Sequence, residues 1–518
     1  MPITVNFPTL GPVIGHVNTT SARLWLRGGP GQQGIITYAS TKDFFDAKKS
    51  TIQLNPNLDY SGTVYLPELT PGNRYYYMAG TVSDDLDINS LAISDFNWSA
   101  FKKHHKRQFF ETDIEGVPAS FLFGSCRHPG VWNLNRGDAC FKAINKLQRR
   151  KSLNTKFIIM CGDQVYADVL HYEDHKPDID DEIHEIKRDR HRHYFIAGKA
   201  KSSQEQYFQL YRNAWSNTEY RYLLSHTPTY MMMDDHEIIN DWSPAFFEEN
   251  SRYGNIPEIL NWGLTAYQGY QAALAPIVAE PNRDELEPVK RRYYYKFSQG
   301  NCEFFVLDTR SKRQVSTQLG QEQLEELLAW INEPSEKIKF IVSPVPIFPD
   351  VQHFATPTLQ QDTWSGFQQE RLVILDNIYE SKNRNIAFLS GDVHCSFIAE
   401  LTCNKDPNFK IYNIVSSAFN WILPGLNRRN FIVDRPLATD NLHSPRANEA
   451  PEYQAKFVEL DSTLFTGNVI VINNFCHIQV DNPEISGQIK KRITINYYTE
   501  KGNSLAKNKT IGIKTITL

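Results

Sequence analysis

No stretch of this sequence approaches the ~20 consecutive apolar residues that a membrane-spanning helix needs. Charge of one sign is not in excess either. The 55 Lys and Arg against 59 Asp and Glu leave −4 at pH 7, which argues against a general attraction to nucleic acid or to an anionic membrane. Cysteine is scarce, at seven residues, odd in number and without a CxxC spacing. That excludes a dense disulfide framework and fits a reducing compartment. Internal repeats and low-complexity segments are absent. The opening MPITVNFPTLGPV has no basic stretch followed by an apolar core and does not read as a secretory signal. A cytoplasmic protein is expected if Met1 is the native start, and a secreted or periplasmic one if an export signal has been removed.

What is present describes a globular chain, with 41% hydrophobic and 22% charged residues. Its 518 residues exceed what one ordinary core accommodates, so two or more domains are expected. Residues 1–114 carry short alternating runs broken by Gly, Pro and Asn turns, such as SARLWLR, GIITY, GTVYL and LTPGNRYYY. Runs of this kind predict an N-terminal β-sandwich domain. The basic tract Phe101 to Arg107 reads as a solvated charged edge at its exit. Over 115–518 apolar strands alternate with helical stretches, among them 138–150 and the amphipathic run Gln321, Leu324, Leu327, Leu328, Ile331. This alternation predicts an α/β fold, a sheet sandwich flanked by helices. The strand-like tail from Asn468 is expected to complete or flank the catalytic sheet.

Five strand ends in that second region stop on the same kinds of polar residue: SCRHP, GDQVYAD, DDHEIIND, DTRSKR and GDVH. Ligands gather at the carboxyl ends of strands in α/β proteins, where loops vary on a rigid sheet. One Asp after a strand is ordinarily a cap or turn former. A whole set supplying Cys, Asp, Tyr, Asn and His is hard to explain that way. A buried carboxylate is costly unless it is paired or bound to metal, and two shared cations would relieve that cost.

The ordered set GSC, GDQVYAD, DDHEIINDW, LDTR and SGDVH resembles the PhoD-like family of alkaline phosphatases, a branch of the metallophosphoesterases. The leading FPTLGPVIG, SARLWLR and LTPGNRYYY are similar to that family's N-terminal domain. The resemblance implies a metallophosphoesterase-type fold and phosphoester hydrolysis. Carried onto this chain, it implies Cys126, Tyr166, His394 and a bridging Asp163 as ligands of one metal, and Asp392 with Asp235 or Asn240, or both, as ligands of the second. It implies that His236 meets the phosphate. Asp168 reads mainly as a turn or helix-start carboxylate, and Asp234 as a cap or a partner that orients His236. Asp362 to Phe367 (DTWSGF) matches the family but suggests only packing.

The chemistry of the donors agrees. Cys and Tyr must both ionise to bind, and an ordinary phenol has a pKa of ~10, so Fe³⁺ suits the first site better than Zn²⁺ or Mg²⁺. Oxygen donors alone suit Ca²⁺, or Mn²⁺ or Mg²⁺, at the second. Developing charge on phosphoryl oxygens calls for fixed cationic donors, for which Arg127 and Arg310 are the candidates, each with a structural ion pair as its alternative. The expected partner is a small-molecule phosphoester, with the segments 171–215 and 420–450 shaping the mouth. Two other classes compete: a metal-free thiol hydrolase with Cys126 as nucleophile, and a binding protein with a decayed site. Neither oligomeric state nor a preference between mono- and diesters is written in these motifs.

Overall fold

The computed structural model describes residues 2–104, 108–128, 138–168, 201–242, 256–277, 287–351, 362–421, 426–437, 450–460, 468–485, 488–489, 491–503 and 511–516. Two seven-stranded sheets form its body. The first runs Thr229–Met232, Phe157–Cys161, Ala119–Arg127, Asn474–Asp481, Lys491–Thr499, Ile511–Ile516, with Ser417–Asn420 pairing to the end of Ala119–Arg127. Its three leading strands are parallel, and the tail strands add to them antiparallel. The tail thus completes this sheet, although the apolar 468–472 run makes only an isolated bridge from Ile470 to Ser396. The second sheet runs Tyr295–Gln299, Cys302–Val306, Ile338–Ser343, Ile386–Ser390, Lys410–Val415, Phe397–Cys403, Tyr453–Phe457.

The period of two along each strand sorts its side chains. Phe121, Phe123, Phe157, Ile159 and Tyr230 of the first sheet share one buried cluster with Phe304, Phe340 and Phe388 of the second. Phe121 sits 4.9 Å from Phe157 and 5.4 Å from Phe304, ring centre to ring centre. The intervening Leu122, Ile158, Met160 and Met231 instead pack with Phe141, Tyr211, Trp215 and Leu264. Those come from helices Ala139–Arg149, Gln204–Ser216 and Ile256–Tyr270. Helices Gln321–Asn332 and Gln368–Ser381 bring Leu327, Trp330, Ile331, Leu375 and Ile378 to the second sheet's cluster. Each large apolar side chain so buried contributes about 1.5–3 kcal/mol. No helix among the described residues is long and apolar enough to cross a membrane.

Toward the N-terminus, Leu10–Val17, Ala22–Arg27 and Ser61–Leu66 form a three-stranded sheet. Lys48–Ile52, Gln32–Ala39, Arg74–Ser83 and Phe109–Glu111 form a four-stranded one. Ile14, Leu24 and Leu26 from one and Ile36, Tyr77 and Phe110 from the other lie in a common cluster. The expected charged edge begins as a helix, Ser99–His104, with Phe101 buried, and 105–107 lie outside the described residues.

The N-terminal part is tied to the body by polar bonds. Trp25 Nε1 donates to the Gly269 carbonyl at 2.7 Å. Buried Asp59 accepts from Arg27 (2.9 and 2.8 Å), Arg212 (2.8 and 2.7 Å) and Tyr270 Oη (2.6 Å). The two large sheets also touch at the carboxyl ends of their parallel strands. There the Asp392 N–H donates to Ser125 Oγ at 3.2 Å. A Cβ on Gly391 would stand 2.3 Å from that of Ser125, so only glycine lets the two strand ends approach.

Candidate metal centre

Strand ends from both sheets meet at this edge. The Ala119–Arg127 strand delivers Cys126, and the loop after Phe157–Cys161 delivers Asp163, Tyr166 and Asp168. The loop after Thr229–Met232 delivers Asp234, Asp235 and His236, and that after Ile386–Ser390 delivers Asp392 and His394. Cys126, Asp163, Asp392 and His394 all hold left-handed backbone, with φ of 55°, 54°, 61° and 51°. Such residues cost about 1–3 kcal/mol each and persist where the surroundings over-determine them, typically at functional sites.

Asp163 is the meeting point. Its Oδ2 lies 3.5 Å from Cys126 Sγ and 3.3 Å from Tyr166 Oη. Its carboxylate also groups with those of Asp234, Asp235 and Asp392, with donor atoms within 4.8 Å of one another. Asp235 joins two more such groups, one with Asp163 and His236, the other with Asp241 and Asp362. Of the expected pair Asp235 and Asn240, Asp235 lies within these acidic groups, which by their nature leave an amide such as Asn240 out of account. Asn240 is fixed by its backbone N–H, which donates to Asp168 Oδ2 at 2.9 Å.

His394 Nδ1 bonds the Trp421 carbonyl and its N–H donates to Ser417 Oγ at 3.0 Å. The first bond commits Nδ1 and leaves Nε2 for a ligand. Burial pushes His394 down to about 4, so it is neutral at pH 7, the form that binds a cation. Tyr166 stacks on Trp421 at 5.1 Å and 8° and lies 4.4 Å from the His236 ring.

The electrostatics are those of a centre short of positive charge. Burial first, and neighbouring carboxylates second, push Asp392 up; for Cys126 burial leads, then Asp163 and Asp392; for Tyr166 burial leads, then Asp163 and Cys126. Asp234 Oδ2 and Asp235 Oδ1 are buried without a hydrogen-bond partner. Carboxylate oxygens without hydrogen bonds among crowded carboxylates are expensive, even with Arg310 3.6 Å from Asp235 Oδ1, and cations fit them. The clusters are able to hold metal ions.

The two arginines expected to meet phosphate are engaged elsewhere. Arg127 is fully buried, its Nε and Nη2 on Asp138 at 2.7 and 3.0 Å, Nη2 also on the Ala214 carbonyl, and its plane 3.7 Å over Tyr220. Arg310, equally buried, donates from Nε to Asp234 at 2.6 Å and clasps Asp362, with Asp235 at 3.6 Å. Both are carboxylate partners inside the protein, so their structural alternative is the one the geometry supports. His236 is also oriented differently from expectation. Its Nδ1 lies 2.7 Å from Asp168 Oδ1, so Asp168 orients it while Asp234 serves Arg310.

Within this geometry, residues 121–421 match the family model described as PhoD-like phosphatase. That stretch is more than half of the chain. The chain belongs to this family. Among curated relatives of this PhoD-like phosphatase is alkaline phosphatase D of Bacillus subtilis (strain 168), 28% identical over 200 residues, or 34% of this chain and 32% of the relative. The match thus spans about a third of that relative's length. Among solved structures, one titled "Structure of PhoD" superposes with a TM-score of 0.61 at 16% identity, covering 98% of this chain and 94% of the other. At that identity the likeness is one of fold, a mixed α/β sheet-rich architecture.

Two residues of the family member's site escaped the sequence reading. Asp362 is no packing residue: it accepts from Arg310 and from Arg313 Nη1 at 2.8 Å and lies among Asp235 and Asp241. Trp364 beside it is buried and packs as expected. Asp241, with φ of 59°, donates its N–H to Asp235 Oδ2 at 2.8 Å. An Asn-Asp pair closing DDHEIIND was the available signal. Of the expected mouth segments 171–215 and 420–450, residues 171–200, 422–425 and 438–449 lie outside the described residues, while the first runs into the helix Gln204–Ser216.

Proposed function

We propose that this chain is a metal-dependent phosphoester hydrolase with two cation sites sharing Asp163. Cys126, Tyr166, His394 and Asp163 would hold Fe³⁺. Asp163 and Asp392, with Asp235 or Asn240 or both, would hold Ca²⁺, or Mn²⁺ or Mg²⁺. The observation that carries the reading is Asp163 itself, which lies 3.5 and 3.3 Å from a thiol and a phenol and also groups with the carboxylates of Asp234, Asp235 and Asp392. When bound, such cations polarise phosphoryl oxygens and lower the pKa of water toward neutrality.

The chain's own residues do the rest. Asp168 holds His236 by Nδ1, and a ring nitrogen of His236 groups with carboxylate oxygens of Asp163 and Asp235; with Nδ1 committed, Nε2 is the atom that would donate to a phosphoryl or leaving oxygen. Arg310 spreads positive charge over Asp234 and Asp362 and so limits repulsion at the second site. The substrate is a small-molecule phosphoester. Residues 1–114 are read as a β-sandwich domain, and 115–518 as the catalytic domain with stacked sheets between outer helices, the metallophosphoesterase type.

The thiol-hydrolase alternative finds no support at Cys126. Its sulfur is fully buried, contacts Ser417 Oγ, Asp163 and the Asp392 carbonyl, and has its pKa pushed up by burial and carboxylates. A thiolate nucleophile needs the reverse. The test is elemental analysis of the native protein together with hydrolysis of p-nitrophenyl phosphate and bis(p-nitrophenyl) phosphate, before and after chelation. Iron plus a second metal, with activity lost on chelation and regained on supplementation, is expected. Full activity in stripped protein overturns the proposal.

A further inference from the structure

Glu237 is completely buried directly after His236. Its carboxylate accepts four hydrogen bonds. Oε2 takes the N–H of Asp163 at 3.1 Å and of Asp234 at 2.8 Å. Oε1 takes the N–H of Gln164 at 2.7 Å and Nε2 of Gln271 at 2.9 Å. The donors come from the loop bearing Asp163, the loop bearing Asp235, and the residue that follows helix Ile256–Tyr270. Gln271 is itself fully buried, and its Nε2 lies 3.1 Å from Tyr211 Oη.

None of these four donors is a cationic side chain. Each carboxylate oxygen is occupied by two N–H groups that point at it, so Glu237 is poorly placed to take a metal. Three of the four donors are backbone amides of the two loops that supply Asp163 and Asp235. Asp163 holds left-handed backbone at φ 54°, a conformation that persists only where its neighbours enforce it. Glu237 grips the peptide N–H on both sides of that residue's Cα, its own and that of Gln164.

We propose that Glu237 is a positioning residue for the metal centre: it clamps the Asp163 and Asp235 loops at a fixed separation through their backbone amides. This rests on the metal-dependent reading above. Glu237→Gln keeps the size but turns an NH₂ group toward N–H donors on one side. In chelator-stripped full-length protein titrated with Mn²⁺, the variant is expected to bind about 10–100-fold more weakly than the parent, the usual effect of losing an outer partner of metal ligands. Independently of metal, hydrogen exchange should accelerate in peptides spanning 162–166 and 234–237 and stay unchanged in 386–390. Adding Gln271→Glu, which offers a carboxylate to the new amide, should recover part of both losses.

Unchanged Mn²⁺ affinity and local exchange in Glu237→Gln overturn the clamp. So does faster exchange spread evenly over the chain, which would mark a residue that merely stabilises the fold. If Glu237→Gln does not fold, Gln271→Met, which removes one of the four donors, decides by the same two readouts. A smaller loss in the same direction supports the clamp, and no change overturns it. A parent protein that binds no Mn²⁺ and no other supplied metal sinks the metal reading, while the exchange pattern still judges Glu237.

Discussion

Replacing Asp168 by Asn tests how His236 is held. Asp168 is 4% exposed and uses both oxygens, Oδ1 toward His236 Nδ1 at 2.7 Å and Oδ2 toward the Asn240 N–H at 2.9 Å. Asn has the same shape but one oxygen. With that oxygen on His236, its NH₂ confronts the Asn240 N–H; flipped, it confronts the imidazole. Either way one charge-assisted bond is lost, a cost of about 1.5–3 kcal/mol. At ~1.36 kcal/mol per tenfold in rate, kcat/KM should fall about 10- to 100-fold. The assay is p-nitrophenyl phosphate hydrolysis with metal content measured on the same sample, which should stay at the parental level. The pH profile supplies a second readout. Burial lowers the His236 pKa, but Asp168, Asp235 and Asp163 together raise it well above the usual histidine value. Removing the Asp168 charge lowers it, so the alkaline limb of activity should move to lower pH. A variant as fast as the parent at full metal occupancy, with an unmoved alkaline limb, refutes the role given to Asp168.

Three further outcomes are expected. Tyr166→Phe should abolish a visible charge-transfer band of the purified protein, and a colourless parent containing only Zn²⁺ would defeat the iron assignment while leaving the hydrolase reading intact. Gly162→Ala should cost about 1–3 kcal/mol and lower metal content, because Gly162 has φ 79° and its Cβ would stand 2.6 Å from that of Asp234; thermal unfolding and elemental analysis check it. Asp59→Ala strands two guanidiniums against the N-terminal sheets and should cost about 3 kcal/mol in denaturant unfolding. Burial raises the Asp59 pKa, but bonds from Arg212, Arg27 and Tyr270 outweigh it and hold it below the usual carboxylate range. Its stabilisation is therefore complete above the unfolded value of ~3.9 and lost as pH falls through the depressed folded value. The variant should lack that acid-sensitive component.

The legible and illegible parts of the site differ by a physical rule. Asp163 and Asp392 stand where an apolar parallel strand stops on Gly-Asp, so period and terminus mark them without any knowledge of packing. No apolar run of the sequence ends on Asp362; it precedes the turn Trp364–Phe367, and Arg310 and Arg313 hold it at the site by contacts across 52 and 49 residues of chain. Arg127 shows the opposite failure. Alternation along Ala119–Arg127 puts Arg127 on the side of Ser125, whose Oγ meets the Asp392 N–H. The left-handed φ at Cys126 and the register shift between Ser125 and Arg127 break that alternation. Arg127 therefore leaves for the helix side, where Asp138 and Tyr220 receive it. The same turn of backbone that aims the Cys126 sulfur at Asp163 thus removes the adjacent guanidinium from the site. With Arg310 also committed to Asp234 and Asp362, neither of the two candidate arginines faces a phosphoryl group, and among the described candidates the positive charge falls, under the two-cation reading, to the metals and His236. Under that reading, a site without these two arginines should depend on metal occupancy more steeply than one in which they faced the phosphoryl group.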